Sequence, residues 1–174
     1  MLEGENIRLR AFEPEDLEHF YRWENDTSVW ENNVSFAPYS KYMLKRYIEQ
    51  TRNDIYADGQ LRLIIECKDS HEVVGCIDVF DFDAFCRRAC WGVIVDEAYR
   101  RKGYCTEALR VLTDYCFKTL GIKQLYCKIM ENNTPSLKMI EKTDFVQCGV
   151  LKSWAKTSGG FRDVYVYQCI NPNL

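Results

Sequence analysis

The sequence predicts an α/β (α+β) fold: a mixed, mostly antiparallel sheet of six to seven strands with about four helices over both faces, in one domain spanning residues 1–174. Three observations carry this. Short alternating or apolar segments recur from one end of the chain to the other. Three of them follow one another with only turn-rich peptides between, the mark of a meander. A long stretch with apolar residues at three- and four-residue spacing separates two further strand-like segments. With 47% apolar and 14% aromatic content, the 174 residues suffice for a substantial core.

The elements follow in order. Residues 6–11 (NIRLRA) alternate as a strand does, and Pro14 then opens a helix on which Leu17, Phe20 and Tyr21 share one face. Residues 25–40 are aromatic and acidic without periodicity, which suits a binding loop. A helix is expected over 41–54, with Tyr47 and Ile48 among its apolar positions. The strands LRLIIEC (61–67), VVGCIDVF (73–80) and CWGVIVD (90–96) are separated by turns at 68–72 and near 82–87. From 103 to 119, Ala108, Leu109, Leu112 and Cys116 form a helical stripe, continued by Leu120 and ended by Gly121. A strand at 124–130, a short helix at 135–143 and strands at 145–151 and 161–170 complete the chain. If 90–96 and 124–130 are parallel neighbours, the helix between them is the crossover that parallel pairing requires.

Charge and cysteine usage exclude several functions. The balance of 23 basic against 26 acidic residues argues against nucleic acid as a partner. No apolar run exceeds the four residues Val164–Tyr167, so a membrane partner is not expected. The start, Met1-Leu2-Glu3-Gly4-Glu5, lacks a secretion-signal profile, and the expectation is a soluble product that stays where it is made. Nine scattered cysteines without a Cys-x-x-Cys motif read as reduced thiols, which points to the cytoplasm. Two histidines, His19 and His71, are too few for a histidine-rich metal site or a hydrolytic triad, so no metal is expected.

The chemistry lies in Val93-Ile94-Val95-Asp96-Glu97-Ala98-Tyr99-Arg100-Arg101-Lys102-Gly103-Tyr104-Cys105-Thr106, which runs strand, turn, helix. A helix starting within Arg101 to Thr106 presents main-chain N–H groups with no intrahelical partner, and Gly103 has no Cβ to hold a diphosphate away. Arg100, Arg101 and Lys102 add positive charge beside those donors. Neither the phosphate-loop pattern nor the dinucleotide glycine pattern is present.

These residues resemble the GNAT N-acetyltransferases, whose hallmark Arg/Gln-x-x-Gly-x-Gly/Ala opens the helix after the fourth strand. Arg100-x-x-Gly103-x-Cys105 matches it, followed by Thr106-Glu107-Ala108-Leu109. Asn133-Thr134-Pro135-Ser136 and Glu141-Lys142-Thr143-Asp144-Phe145 are similar to a second family element. The likeness extends from Leu9-Arg10 to Gly160-Phe161-Arg162-Asp163, and is nearest to the spermidine/diamine branch, which shares Arg87-Arg88-Ala89, and to the ribosomal-protein N-terminal branch. The resemblance implies acetyl-CoA as co-substrate. It implies that the loop amides, Tyr104, Cys105 and Thr106 among them, bind its pyrophosphate, and that Val93, Ile94 and Val95 hold the pantetheine arm. Asn133 is then placed to reach a pantetheine amide, although Asn133 with Pro135 reads equally as the start of a helix.

Three departures from the family pattern follow. Cys90 stands where many relatives carry a glutamate base, Ile140 where many carry a tyrosine acid, and Cys105 where glycine or alanine is usual. Losing an acid or base costs about 10²–10⁴ in rate. A simple hairpin at 82–87 would set Cys90 opposite Val79 and bring Asp81 out on the same face, making Asp81 a candidate for holding or deprotonating the amine; a solvated turn is its other reading. Ser136 is a candidate for returning a proton to the thiolate. Acceptor contacts are expected from Trp30, Glu31 and Tyr39, among the aromatic and acidic residues Trp23, Glu24, Asp26 and Phe36. The expected acceptor is a small amine, a polyamine or a peptide N-terminus. A non-catalytic acyl-CoA sensor of the same fold is the alternative. Aromatic terminal strands carrying Tyr165 and Tyr167 suggest a homodimer through a sheet edge.

Overall fold

The computed structural model describes residues 2–30 and 37–174. Its strands are β1 (Leu2–Glu3), β2 (Ile7–Arg10), β3 (Leu61–Cys67), β4 (Val73–Asp83), β5 (Arg88–Val95), β6 (Gln124–Met130), β7 (Val146–Thr157) and β8 (Gly160–Ile170). They form one eight-stranded sheet in the order β1-β2-β3-β4-β5-β6-β8-β7, antiparallel throughout except for β5 with β6. The helices are α1 (Leu17–Glu24), preceded by a 3₁₀ turn at Pro14–Asp16, then α2 (Thr27–Trp30), α3 (Lys41–Gln50), α4 (Ile55–Asp58), α5 (Tyr104–Lys118) and α6 (Thr134–Ile140).

Period-two alternation sorts the side chains onto two faces. Leu61, Leu63 and Ile65 of β3, with Ile7, Leu9, Ile77, Val79, Ala89 and Trp91, are buried against Ala108, Leu109, Leu112 and Cys116 of α5. On the opposite face Ile64 and Cys76 lie beneath Phe20 and Trp23 of α1 and Leu44 and Ile48 of α3. Each such aliphatic or aromatic side chain contributes about 1.5–3 kcal/mol when fully buried. Charged side chains tie the entry to α1: Arg10 donates to both oxygens of Asp16 at 2.7 and 2.9 Å, and Arg8 and Arg10 both donate to buried Glu66.

The structure departs from the expectation in five places. The sheet has an eighth strand, β1, where Leu2 pairs with Leu9; two residues are too few to display alternation. The helix expected over 41–54 ends at Gln50, because Thr51 is extended and Asn53 is left-handed at φ 51°. Asp54 then starts α4 by accepting from the Tyr56 amide at 2.9 Å. Strand β7 runs on to Thr157, and register shifts after Gln147 and Leu151 break the alternation that would have revealed it. Strand β8, with Tyr165 and Tyr167, is internal, so the sheet edges are β1 and β7. Finally, Cys90 pairs with Phe80 instead of Val79, because a bulge between Phe80 and Asp83 shifts the hairpin by one residue.

Candidate active site

β5 and β6 run side by side only over Arg88–Cys90 and Gln124–Tyr126; beyond that β5 pairs with β4 alone and β6 with β8 alone. The sheet therefore opens between its two central strands. Main-chain direction along β5 follows from three bonds. The Asp96 amide donates to Val74 O at 2.9 Å, whereas Val95 O accepts from Arg100 Nε at 3.1 Å and Arg87 O from the Lys123 amide at 2.7 Å. Even-numbered residues thus turn their peptide groups to β4 and odd-numbered ones to β6. Val93 and Val95 face the opening with their amides, while Ile94 commits its main chain to β4 and its side chain to the α1–α3 core. All three are half-buried at the centre of the sheet. Trp91, at the point of divergence, is buried, and its indole N–H has no partner among the described residues.

The turn after β5 leads into α5. Asp96 accepts from the Ala98 amide, from Trp23 Nε1 at 3.3 Å and from Arg22, bracing the turn against α1. Burial pushes the Asp96 carboxyl up, but the bonds from Trp23, Ala98 and Arg22 outweigh it and hold the group below its ordinary value. Arg100 folds back on Val95, Lys102 lies over the Tyr99 ring at 5.0 Å, and Arg101 stands exposed in a left-handed conformation at φ 63°. Gly103 caps α5 at φ 87° and supplies no side chain to bond the first turn. The amides of Tyr104, Cys105 and Thr106 have no acceptor among the described residues, the first intrahelical bond being Glu107 N to Gly103 O at 3.1 Å. A Cβ built on Gly103 meets nothing within 4 Å, so the space before these donors is open. Uncapped donors, an open cradle and three cations fit a diphosphate; the unpaired edge of β5 fits an amide-bearing arm.

The description of the acetyltransferase (GNAT) domain matches residues 6–146, most of the chain. The chain belongs to the GNAT acetyltransferase family. Among curated relatives, the uncharacterized N-acetyltransferase p20 of Bacillus licheniformis is 29% identical over 95% of this chain and 93% of that protein. The spermidine N(1)-acetyltransferase of Escherichia coli K12 is 25% identical over 98% of this chain and 88% of that protein. Among solved structures, the Vibrio cholerae spermidine N-acetyltransferase in complex with CoA and spermine superposes with a TM-score of 0.84 at 20% identity, covering 97% of both chains. The ribosomal-protein-S5-alanine acetyltransferase of Vibrio fischeri gives 0.84 at 19% identity, over 98% of this chain and 96% of that one. These structures share the fold of this GNAT chain.

Within the GNAT domain the remaining sequence candidates fall as follows. Asn133 caps α6, its Oδ1 accepting from the Ser136 amide at 3.3 Å, and Ser136 is half-buried in the first turn. Cys105 is half-buried under the loop, and burial pushes its thiol up to about 11. Ile140 is fully buried in the main core. Burial pushes the Cys90 thiol up to about 12 against the opposing pull of Lys128, so it stays protonated at neutral pH. Asp81 sits exposed on the β4 bulge at φ 50°, near enough to Cys90 and Tyr126 for its charge to raise both. Trp30 donates from Nε1 to Glu24 O at 3.0 Å, and the Tyr39 main chain is pinned by the Asn25 side chain at 2.8 and 3.1 Å. Glu31 and Phe36 lie outside the described residues.

Apart from Glu24, the sequence reading does not assign the polar residues of the α1–α3 face beside this opening to the site. Arg62 lies between Glu24 of α1 and Asp78 of β4, at 2.7 and 3.0 Å, packed against the Phe20 and Tyr47 rings. Gly92 lets Asp78 Oδ1 and the Phe80 ring come within 3.1 and 3.3 Å of where a Cβ would stand, and Lys128 stands exposed on β6. One signal was available: a glycine inside a strand marks a close approach.

Proposed function

We propose that this chain transfers the acetyl group of acetyl-CoA directly to a primary amine within a ternary complex, residues 1–174 acting as one domain. The acceptor class is a small amine, a polyamine or a peptide N-terminus. The observation that carries this is the unpaired edge of β5 opening beside the uncapped start of α5. Spermidine as the named substrate of the Escherichia coli relative supports an amine acceptor.

In this reading Gly103, Tyr104, Cys105 and Thr106 bind the diphosphate through their main chain, with Arg100, Arg101 and Lys102 supplying charge. Val93 and Val95 bond the pantetheine arm, Ile94 fixes their strand, and Asn133 reaches the arm from α6. The amine nitrogen attacks the thioester carbon, forming the C–N bond as the C–S bond breaks. The Val93 N–H donates to the oxygen that gains negative charge. A free alkyl amine has a pKa near 10.4, so a proton must leave it; a thiol near 8.5 departs as thiolate and regains one. Protonated Cys90 does not serve as the base, and that role falls to Asp81, directly or through water, with Ser136 returning the proton to the thiolate. Holding both reactants together supplies about 7–11 kcal/mol of the barrier reduction.

The reaction belongs in the cytoplasm, a reading supported by nine free cysteines. Among the described residues no helix is long and apolar enough to cross a membrane. A homodimer through the β7–β8 hairpin accounts for Trp154 and Phe161 being 61% and 64% exposed. Thiol release from acetyl-CoA across polyamines, aminoglycosides, amino acids and amino-terminal peptides tests the activity. Acceptor-dependent release is expected; CoA binding without any release across the panel would refute it.

A further inference from the structure

The α1–α3 face of the sheet carries a row of charge that the proposed transfer leaves unused. Arg62 of β3 pairs with Asp78 of β4, and Asp78 with Gly92 of β5. Cys90 is level with Tyr126 on the parallel strand β6, so Gly92 and Lys128, each two residues further on, share the next level and the same face. The row reads cation, carboxylate, glycine, cation. It crosses the sheet where β5 and β6 part, one residue before the amide of Val93.

Each member is held in a telling way. Arg62 donates from Nη2 and Nε to Asp78 Oδ2 at 3.0 and 3.3 Å and from Nη1 to Glu24 at 2.7 Å. That fork leaves Asp78 Oδ1 turned toward β5, 3.1 Å from where a Cβ on Gly92 would stand. Oδ1 has no hydrogen-bond partner among the described residues, yet the Asp78 side chain is only 15% exposed. An anionic oxygen that no protein donor satisfies, beside a strand position without a side chain, is free to accept an N–H from a ligand. On the other side, Lys128 is exposed, leans on the Tyr126 ring at 6.0 Å, and has no carboxylate partner among the described residues. Gly92, the residue between Asp78 and Lys128 in the row, carries no side chain, and the Phe80 ring borders its place at 3.3 Å from where a Cβ would stand.

We propose that Asp78 and Lys128 bracket the acceptor: Asp78 Oδ1 receives the N–H of the attacking amine, and the Lys128 ammonium receives a carboxylate or comparable anion on the same molecule. The acceptor is then a short zwitterion such as an α-amino acid. A polyamine would set its second ammonium against Lys128, and Arg62 already compensates one of the two carboxylates it touches. This inference rests on the proposed acetyl transfer and narrows its acceptor.

The test compares thiol release from acetyl-CoA with α-amino acids, with their decarboxylated amines and with spermidine. The carboxylate-bearing acceptors are expected to give at least about tenfold higher kcat/KM. Lys128→Gln is expected to erase that preference through the acceptor KM while leaving the acetyl-CoA KM unchanged. Asp78→Asn is expected to lower kcat/KM for every acceptor by about 10- to 100-fold. Should Asp78→Asn not fold, Lys128→Gln, at an exposed position, carries the test. Equal or better use of the decarboxylated amines or spermidine overturns the bracket, as does an unchanged preference in Lys128→Gln. CoA binding without turnover of any acceptor, or loss of CoA binding in the wild-type chain, instead removes the acetyl-transfer reading, and the bracket falls with it.

Discussion

Replacing Gly103 with alanine separates what the residue does for the fold from what it does for the diphosphate. At φ 87° and ψ −11° an alanine costs about 1–2 kcal/mol in backbone strain, and its Cβ meets no other atom within 4 Å. For a chain of this size that lowers the thermal midpoint by about 2–8 °C. Gly59, which ends α4 at φ 67° with nothing within 4 Å of its Cβ, bears the same penalty far from α5 and serves as the control. Only at Gly103 does the new methyl enter the space before the Tyr104, Cys105 and Thr106 amides. Losing one main-chain donor to a charged oxygen costs about 1.5–3 kcal/mol, or roughly 10- to 150-fold in Kd. Titration calorimetry with CoA, alongside scanning calorimetry, measures both quantities. Similar midpoints for Gly103→Ala and Gly59→Ala with a weakened CoA complex only in the former are expected; equal CoA affinity in the two variants would refute the diphosphate assignment.

Three more outcomes are expected. Arg62→Met leaves Glu24 and Asp78 facing each other unpaired and should destabilise the chain by about 3 kcal/mol in urea unfolding; a loss below about 1 kcal/mol would mean that the cluster is solvated. Burial pushes the Glu66 carboxyl up, but bonds from Arg10, His71 and Arg8 outweigh it and hold the group below 4.5. A depressed carboxyl adds stability above its unfolded pKa and loses it as pH falls through the folded one, so the thermal midpoint should drop on acidification below about pH 4.5. Glu66→Gln should flatten that drop. Iodoacetamide at pH 8 should label exposed Cys86 and Cys148 and spare Cys90 and Cys116, whose thiols burial pushes up to about 12; mass spectrometry showing early label on Cys90 would contradict its burial.

Local pattern revealed what local physics fixes. Strands LRLIIEC and QLYCKIM coincide with β3 and β6 because each has an unbroken apolar rhythm against one core. The stripe Ala108, Leu109, Leu112 and Cys116 located α5, and Gly103 located its start, because these signals lie within a few turns of one another. What stayed hidden depends on register. The bulge after Phe80 slides the hairpin by one residue and so decides whether Cys90 faces Phe80 or Val79, and no residue type at 81–83 announces it. The row through Asp78, Gly92 and Lys128 joins a bulged hairpin to a strand beyond the α5 crossover, so it emerges only once those pairings are known.

The two antiparallel blocks of the sheet, β1–β5 and β6 with β8 and β7, are stitched to each other by a seam of only three residue pairs. This short seam and the proposed meeting place of the two substrates are therefore one location. A ligand lying along the free edge of β5 supplies hydrogen bonds that the missing rungs would have made, acting as a temporary ninth strand that clasps the halves. Zipping the seam further would give a sturdier and emptier protein, so robustness and turnover draw on the same few peptide groups.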